Sequence, residues 1–377
     1  MQNSASSLNR QVDRRSFMKS GLLAGGAVTI GATLLADGTP MQGQNDDNRH
    51  GRLEAGDIAI LRFLAAAELI EADLWTQYAE LGGLTPGQVP VENNPNFTPM
   101  NSYQAAFMNL DSDGPQYITS NTLDEVSHAD FINAYLSSKG AEPVNFDKFR
   151  TIQGSKAKGA KNIGRLTNLT HLNVDTSWFI RYRSSTNPDL GATFPQAISI
   201  ENRKAIPTTN ADFDNADHIQ VIANTAAFHF GAIEAGGSSL YASMSRKVSS
   251  AEVLEITLGI GGDEVAHFLE WVDFAGNGVQ NPVAPVSDEG LTFPNFFTTP
   301  GTPQFQPNLI FPVPAEFINP NLPKCAAIRP LTDKFAGAKA AVASFTDSGL
   351  FIGQSYDFLH ELGVLAEEAE LARRRDF

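Results

Sequence analysis

Two copies of one short pattern, Glu125-x-x-His128 and Glu264-x-x-His267, dominate the chemistry open to this chain. Three residues apart on a helix, a carboxylate and an imidazole leave the same face, so each pair can close on one metal ion. Each pair is preceded by a glutamate set in an apolar helical stripe, Glu68 before the first and Glu234 before the second. Four carboxylates and two imidazoles from four helices make the ligand set of a dinuclear carboxylate site. With neutral imidazoles the four carboxylates balance two divalent cations. Without metal, the same carboxylates in a helical core would repel one another and take up protons.

One Glu-x-x-His in a chain with seven histidines is weak evidence, since a lone histidine on a helix is more often hydrogen-bonded than a ligand. Two copies, each behind a helix with a mid-stripe glutamate, are hard to reach by accident. An internal echo adds to this: Trp75 follows Glu68 by seven residues and Tyr241 follows Glu234 by seven, on the same helical face. Glu71, one turn from Glu68, is the alternative ligand, and the echo favours Glu68. Glu71, Trp75 and Tyr241 are therefore read as supports beside the ligands. Asp263 and Glu270 read as surface or supporting groups, and His229 as structural.

Four long helices must position these residues. The first runs from about Asp57, read as its N-cap, to Leu81 and stops at Gly82-Gly83; the second includes Tyr117 to Lys139 and stops at Gly140. The third spans about Asp214 to Arg246, and the fourth starts at a cap on Ser249 or Ser250 and ends at Gly276. Between them, residues 140–213 exceed what a loop between antiparallel helices needs. They contain a basic patch (Lys156, Lys158, Lys161, Arg165), read as solvated, and a strand-like run from Leu169 to Arg183, so a crossover enlarged by a small β hairpin is expected. Residues 280–330 are rich in Pro and Phe and should run extended over the helices. The last segment, about Ala336 to Arg373, reads as one or two amphipathic helices ending in a solvated, charged terminus.

A length of 377 residues with 42% hydrophobic content suits one sizeable core with appendages. A formal net charge of −15 leaves no basic footprint for nucleic acid or an anionic membrane. The single cysteine, Cys325, rules out an intrachain disulfide and reads as a buried apolar residue, with a free thiol as the alternative. At the N-terminus Arg14-Arg15-Ser16-Phe17-Met18-Lys19 precedes a weakly apolar Gly/Ala-rich run ending near Ala36. The run is too weak for a membrane span, and the pattern resembles a twin-arginine export signal. That resemblance implies recognition by the twin-arginine translocation machinery, passage of an already folded chain, and a bacterial periplasmic or cell-envelope destination. Folding in a reducing compartment fits the lack of disulfides.

The stretches AELIEADLW (67–75), LDEVSHADFINAYL (123–136), AIEAGGSSLY (232–241) and GGDEVAHFLEW (261–271) resemble the ferritin-like superfamily, most closely its exported, desiccation-related branch. The resemblance implies an all-α fold: a ferritin-like four-helix bundle over residues 57–276, with a crossover insertion at 140–213. Residues 1–36 would then be the signal, 37–56 a flexible lead-in, and 277–377 an extended tail ending in helix. It further implies that Glu68, Glu125, His128, Glu234, Glu264 and His267 are metal ligands, with Glu125 and Glu264 bridging. Two transition-metal ions are expected, iron first and manganese second, reacting with O2, peroxide or Fe2+. Two other readings share these residues: a cell-envelope binding or stress-protection scaffold with a structural metal, and a manganese catalase.

Overall fold

The computed structural model describes residues 53–90, 94, 96–181, 194–278, 285–296, 312–313, 319, 321–323, 325–326 and 337–375. The residues read as an export signal, nearly all of the expected lead-in, most of the Pro/Phe-rich segment and the side chain of Cys325 lie outside them. The described residues are mostly helical: α1 (Ala55–Gly82), α2 (Ser102–Leu110), α3 (Gly114–Ser138), α4 (Ser177–Arg181), α5 (Ala216–Ser245), α6 (Ala251–Gly278), α7 (Ala338–Asp347) and α8 (Tyr356–Leu371). Four two-stranded antiparallel ribbons add little sheet: β1 (Ile152–Gln153) with β2 (Gly164–Arg165), β3 (Leu172–Val174) with β4 (Ile200–Arg203), β5 (Val286–Asp288) with β6 (Leu291–Phe293), and β7 (Pro312–Val313) with β8 (Cys325–Ala326).

The sequence of α1 is apolar on nearly every side, and so is that of α5, which explains their place in the interior. α1 packs along α3 and α5 along α6, while α3 and α6 touch each other sparingly. The outer sides of the two inner helices are covered by the segments that a simpler helical protein would lack. α8 lies along α1, and the β5–β6 ribbon lies on α5, with Phe293 and Phe296 buried against the ring of Phe228. Buried carboxylates pin these covers in place. Asp73 of α1 accepts bonds from the backbone N–H of Leu166 and Thr167 (3.0 Å each), from the Thr167 hydroxyl (2.7 Å) and from Arg150 (2.6 Å).

Several local expectations are corrected by these contacts. α1 starts at Ala55, not at a cap on Asp57, because the buried Asp57 carboxylate is used elsewhere: it accepts the N–H of Ser249 (2.8 Å) and Ser250 (2.9 Å) ahead of α6. Ser250 is the residue whose hydroxyl accepts from Val253 in the first turn of α6. The strand-like run from Leu169 divides. Only Leu172–Val174 is strand; Asp175 then bonds the N–H of Ser177 (2.8 Å) and turns the chain into α4, which seats Trp178 in the core. Trp178 occupies the space beside Gly231, where a Cβ would overlap its indole.

Of the basic patch, the three lysines are exposed, but Arg165 is buried and ion-paired with Glu80 at 2.5 Å. The charged terminus is solvated, with Glu367, Glu368 and Arg373 to Arg375 exposed, and it also makes ion pairs. Glu370 pairs with Lys247 at 2.7 Å, and Arg375 pairs with Glu54 at 2.9 Å.

Candidate metal centre

Each of the four long helices sends acidic side chains into one point of the interior. Glu68 comes from α1, Glu125 and His128 from α3, Glu234 from α5, and Glu264 and His267 from α6. All six are buried, none more than 7% exposed. Their ligand atoms fall into two groups, each with all atoms within 4.8 Å of one another: Glu68, Glu125, His128 and Glu264 in one, and Glu125, Glu234 and His267 in the other. Glu125 belongs to both and can bridge. Glu264, the other expected bridge, is placed with the first group only. Its carboxylate lies over Gly237 of α5, where any Cβ would overlap Oε2. Glu71 is buried nearby but belongs to neither group.

Burial of so many polar atoms calls for partners, and the described residues do not supply them. Glu68 Oε2, both oxygens of Glu125 and Glu264, Glu234 Oε2, and Nδ1 of His128 and His267 have no hydrogen-bond partner. These are eight of the thirteen such side-chain atoms among the described residues, gathered at one place. His267 Nδ1 lies 3.0 Å from Glu125 Oε1 and 3.4 Å from Glu234 Oε2, and His128 Nδ1 lies 3.4 Å from Glu68 Oε2 and 3.5 Å from Glu125 Oε2. The first of these separations is that of a hydrogen bond, but the alignment is not.

The far side of each ring explains the near side. His128 Nε2 faces Asp263 at 3.2 Å and His267 Nε2 faces Asp124 at 3.3 Å, so each α3 histidine is held by an α6 aspartate and the reverse. An aspartate there holds the proton on Nε2 and turns the Nδ1 lone pair toward the carboxylates. Two negative ends at this separation repel unless a cation lies between them. Without metal the cation is a proton. Burial opposes charging of His128, but its bond to Asp263 and the neighbouring carboxylates of Glu125 and Glu68 hold its pKa up to about 12. Burial likewise opposes charging of His267, and Glu234 and Asp124 raise its pKa well above the usual range.

The glutamates divide the remaining charge. Burial, then the charge of Glu125, pushes Glu68 up to about 8, and burial with the same neighbour raises Glu264 well above the carboxylate range. Burial works against Glu125 too, but the two imidazoles beside it bring it down to about 2. The metal-free site is therefore a partly protonated cluster in which Glu125 is ionised. Its donor set, hard oxygens with two imidazoles, fits two divalent ions of the iron or manganese kind.

Two aromatic side chains orient the terminal glutamates, and they do so crosswise. Trp75 on α1 donates its indole N–H to Glu234 Oε1 at 3.1 Å, and Tyr241 on α5 donates its hydroxyl to Glu68 Oε1. The seven-residue echo in the sequence is thus a pair of exchanged hydrogen bonds between halves. Asp124 is the participant that sequence reasoning missed. Both ligand pairs read Asp-Glu-Val-x-His, at 124–128 and 263–267, so the longer repeat carried the signal. Asp263 joins His128, and Glu270, pushed up to about 7 chiefly by burial, accepts a bond from Asn121 at 3.1 Å. His229 is buried beside the site's aromatic neighbours and bonds Tyr78 at 2.7 Å. No family model, curated protein or solved structure matches the chain.

Two expected outcomes test this geometry. Gly237→Ala should leave the helical circular dichroism unchanged and lower metal uptake by displacing the Glu264 carboxylate; full uptake by the variant would refute the placement. Metal uptake at pH 7 should release about four protons per chain, from His128, His267, Glu68 and Glu264. Apparent affinity should then rise about tenfold per pH unit for each displaced proton. The sign follows from pKa values raised in the metal-free protein, so the rise for Glu68 ends near pH 8 and that for His128 near pH 12. Calorimetry in buffers of different ionisation enthalpy counts the protons.

Proposed function

We propose that this chain is an exported ferritin-like four-helix protein that binds two iron or manganese ions and reacts with O2, peroxide or Fe2+. The observation that carries the proposal is the cluster of eight unpartnered ligand atoms supplied by four helices in a pseudo-twofold arrangement. When bound, two ions sharing a carboxylate supply two electrons together to one small oxygen species. The chain's own residues do the positioning. Glu68, Glu125, Glu234, Glu264, His128 and His267 hold the ions, Asp124 and Asp263 fix which imidazole nitrogen faces them, and Trp75 and Tyr241 fix the rotation of the terminal glutamates. The fully buried rings of Trp75, Trp271 and Tyr241 keep bulk water from the ligands.

A structural role for the metal is the second reading, favoured by the closure of the ligands from solvent and by their origin on all four long helices. Turnover of O2 or peroxide by the metal-loaded protein, measured against the metal-free form, separates the two. Fast disproportionation of peroxide by a manganese form would single out a catalase.

The chain should bind about two metal ions, and Glu125→Ala should lose most of both, because that carboxylate belongs to both groups of ligand atoms. Added Fe2+ or Mn2+ at a hundred times Kd should stabilise the wild type by about 3 kcal/mol in thermal unfolding and the variant far less. No binding and no stabilisation would end the metal reading.

The export route rests on Arg14-Arg15 and the weak apolar run behind them. Replacing both arginines with lysine should strand a folded precursor in the cytoplasm, detected by fractionation. Undiminished export of that variant would point to another route.

A further inference from the structure

Trp75 does more than hold Glu234. Its indole stacks on that of Trp271 with ring centres 5.4 Å apart and planes 27° from parallel, and Trp271 meets Tyr117 edge to face at 6.3 Å. Phe230 fills the angle between the two indoles, at 4.8 Å from Trp75 and 4.6 Å from Trp271. Trp75 and Trp271 are fully buried, whereas Tyr117 is half-buried on α3. A continuous series of oxidisable rings therefore runs from a ligand's hydrogen bond to the protein surface. The other half of the site differs: Tyr241 reaches Glu68 but its ring base packs against the backbone of Gly261.

The surroundings of Trp271 suit a ring that changes charge in passing. Its N–H is held by Asn121 Oδ1 at 2.6 Å, and the amide of Asn121 is in turn bonded to Glu270. Rings packed face to face or edge to face share enough overlap for electron transfer, and indole and phenol are the side chains most easily oxidised by one electron.

We infer that Trp75, Trp271 and Tyr117 form a one-electron conduit between the metal ligands and solvent, through which a soluble reductant of the ascorbate class supplies the electrons consumed when peroxide is reduced at the centre. The inference rests on the dinuclear-metal reading. Each peroxide takes up two electrons and two protons, its O–O bond breaks, and two waters leave. The electrons pass singly. Tyr117 loses its phenolic proton to water as it is oxidised and regains one as the reductant donates, while Trp271 and Trp75 pass the electron inward with no net change.

The test uses the full chain loaded with Fe2+, its iron content measured first. Peroxide is then added with and without ascorbate, and oxidised side chains are located by peptide mass spectrometry alongside rapid-freeze electron paramagnetic resonance. In the wild type, peroxide alone should give a Trp or Tyr radical signal and covalent oxidation at Tyr117 and Trp271, both suppressed by ascorbate. Tyr117→Phe and Trp271→Phe should slow re-reduction by ascorbate about tenfold and shift oxidation back to Trp75. Tyr356→Phe, at an exposed ring on α8, should behave as the wild type. Tyr117→Phe keeps the ring at a half-buried position, so a fold defect in Trp271→Phe would not decide the outcome. Full iron loading and oxidation by peroxide, with unchanged re-reduction and oxidation patterns in Tyr117→Phe, would overturn the conduit and leave the metal reading intact. Absence of bound iron would overturn both.

Discussion

Confinement of four carboxylates and two imidazoles in an apolar helical interior is the constraint on which the rest of this structure depends. Each ionised group removed from water costs several kcal/mol, and among the described residues no arginine or lysine pairs with these six to offset it. Cations must be supplied from outside, as protons or as metal ions. The aspartates at the rim choose between the two. By occupying Nε2 of each ring, Asp124 and Asp263 leave Nδ1 facing oxygen atoms in a geometry that only a cation relieves. The cluster therefore lacks a neutralising partner among the described residues, which is what the proposed metal ions would provide.

A site fed by four helices needs two of them in the interior, and interior helices need cover on every side. The insertion and the C-terminal segment meet that need. Asp73 fixes the insertion to α1 through the backbone of Leu166 and Thr167, and Gln354 ties the C-terminal segment to the same region by bonding the carbonyls of Phe149 (2.8 Å) and Leu166 (2.9 Å). The described parts of these segments thus cover the helices that carry the ligands, with Phe293 and Phe296 packed on Phe228. Glycine serves the same end where helices approach most closely, as at Gly237 beneath Glu264 and Gly231 beneath Trp178.

The four long helices and the six converging residues were legible because helical period and the Glu-x-x-His spacing are local signals. Their convergence is a property of the whole chain, yet the repeat foretold it: Trp75 and Tyr241 stood seven residues beyond their glutamates because each serves the other half. What stayed hidden depends on contacts between distant segments. Asp57 looked like a cap for its own helix, and only the position of Ser249 and Ser250 shows that it serves another. Arg165 looked solvated because its partner, Glu80, is a helix away in sequence. The run after Leu169 had strand composition, and one side-chain bond from Asp175 was enough to turn its second half into helix.

The clamp from Asp57 to the start of α6 spans 192 residues of chain, and the two halves of the ligand set are almost as far apart. Contacts so distant in sequence close late in folding. During synthesis α1 and α3 emerge first, and they present Glu68, Glu125 and His128 as an incomplete acidic half-site while the insertion is still being made. The second half must arrive before any ion is enclosed. On the dinuclear-metal reading, enclosure of the ions would mark the completion of folding, so a loaded chain would be one whose two halves have already met.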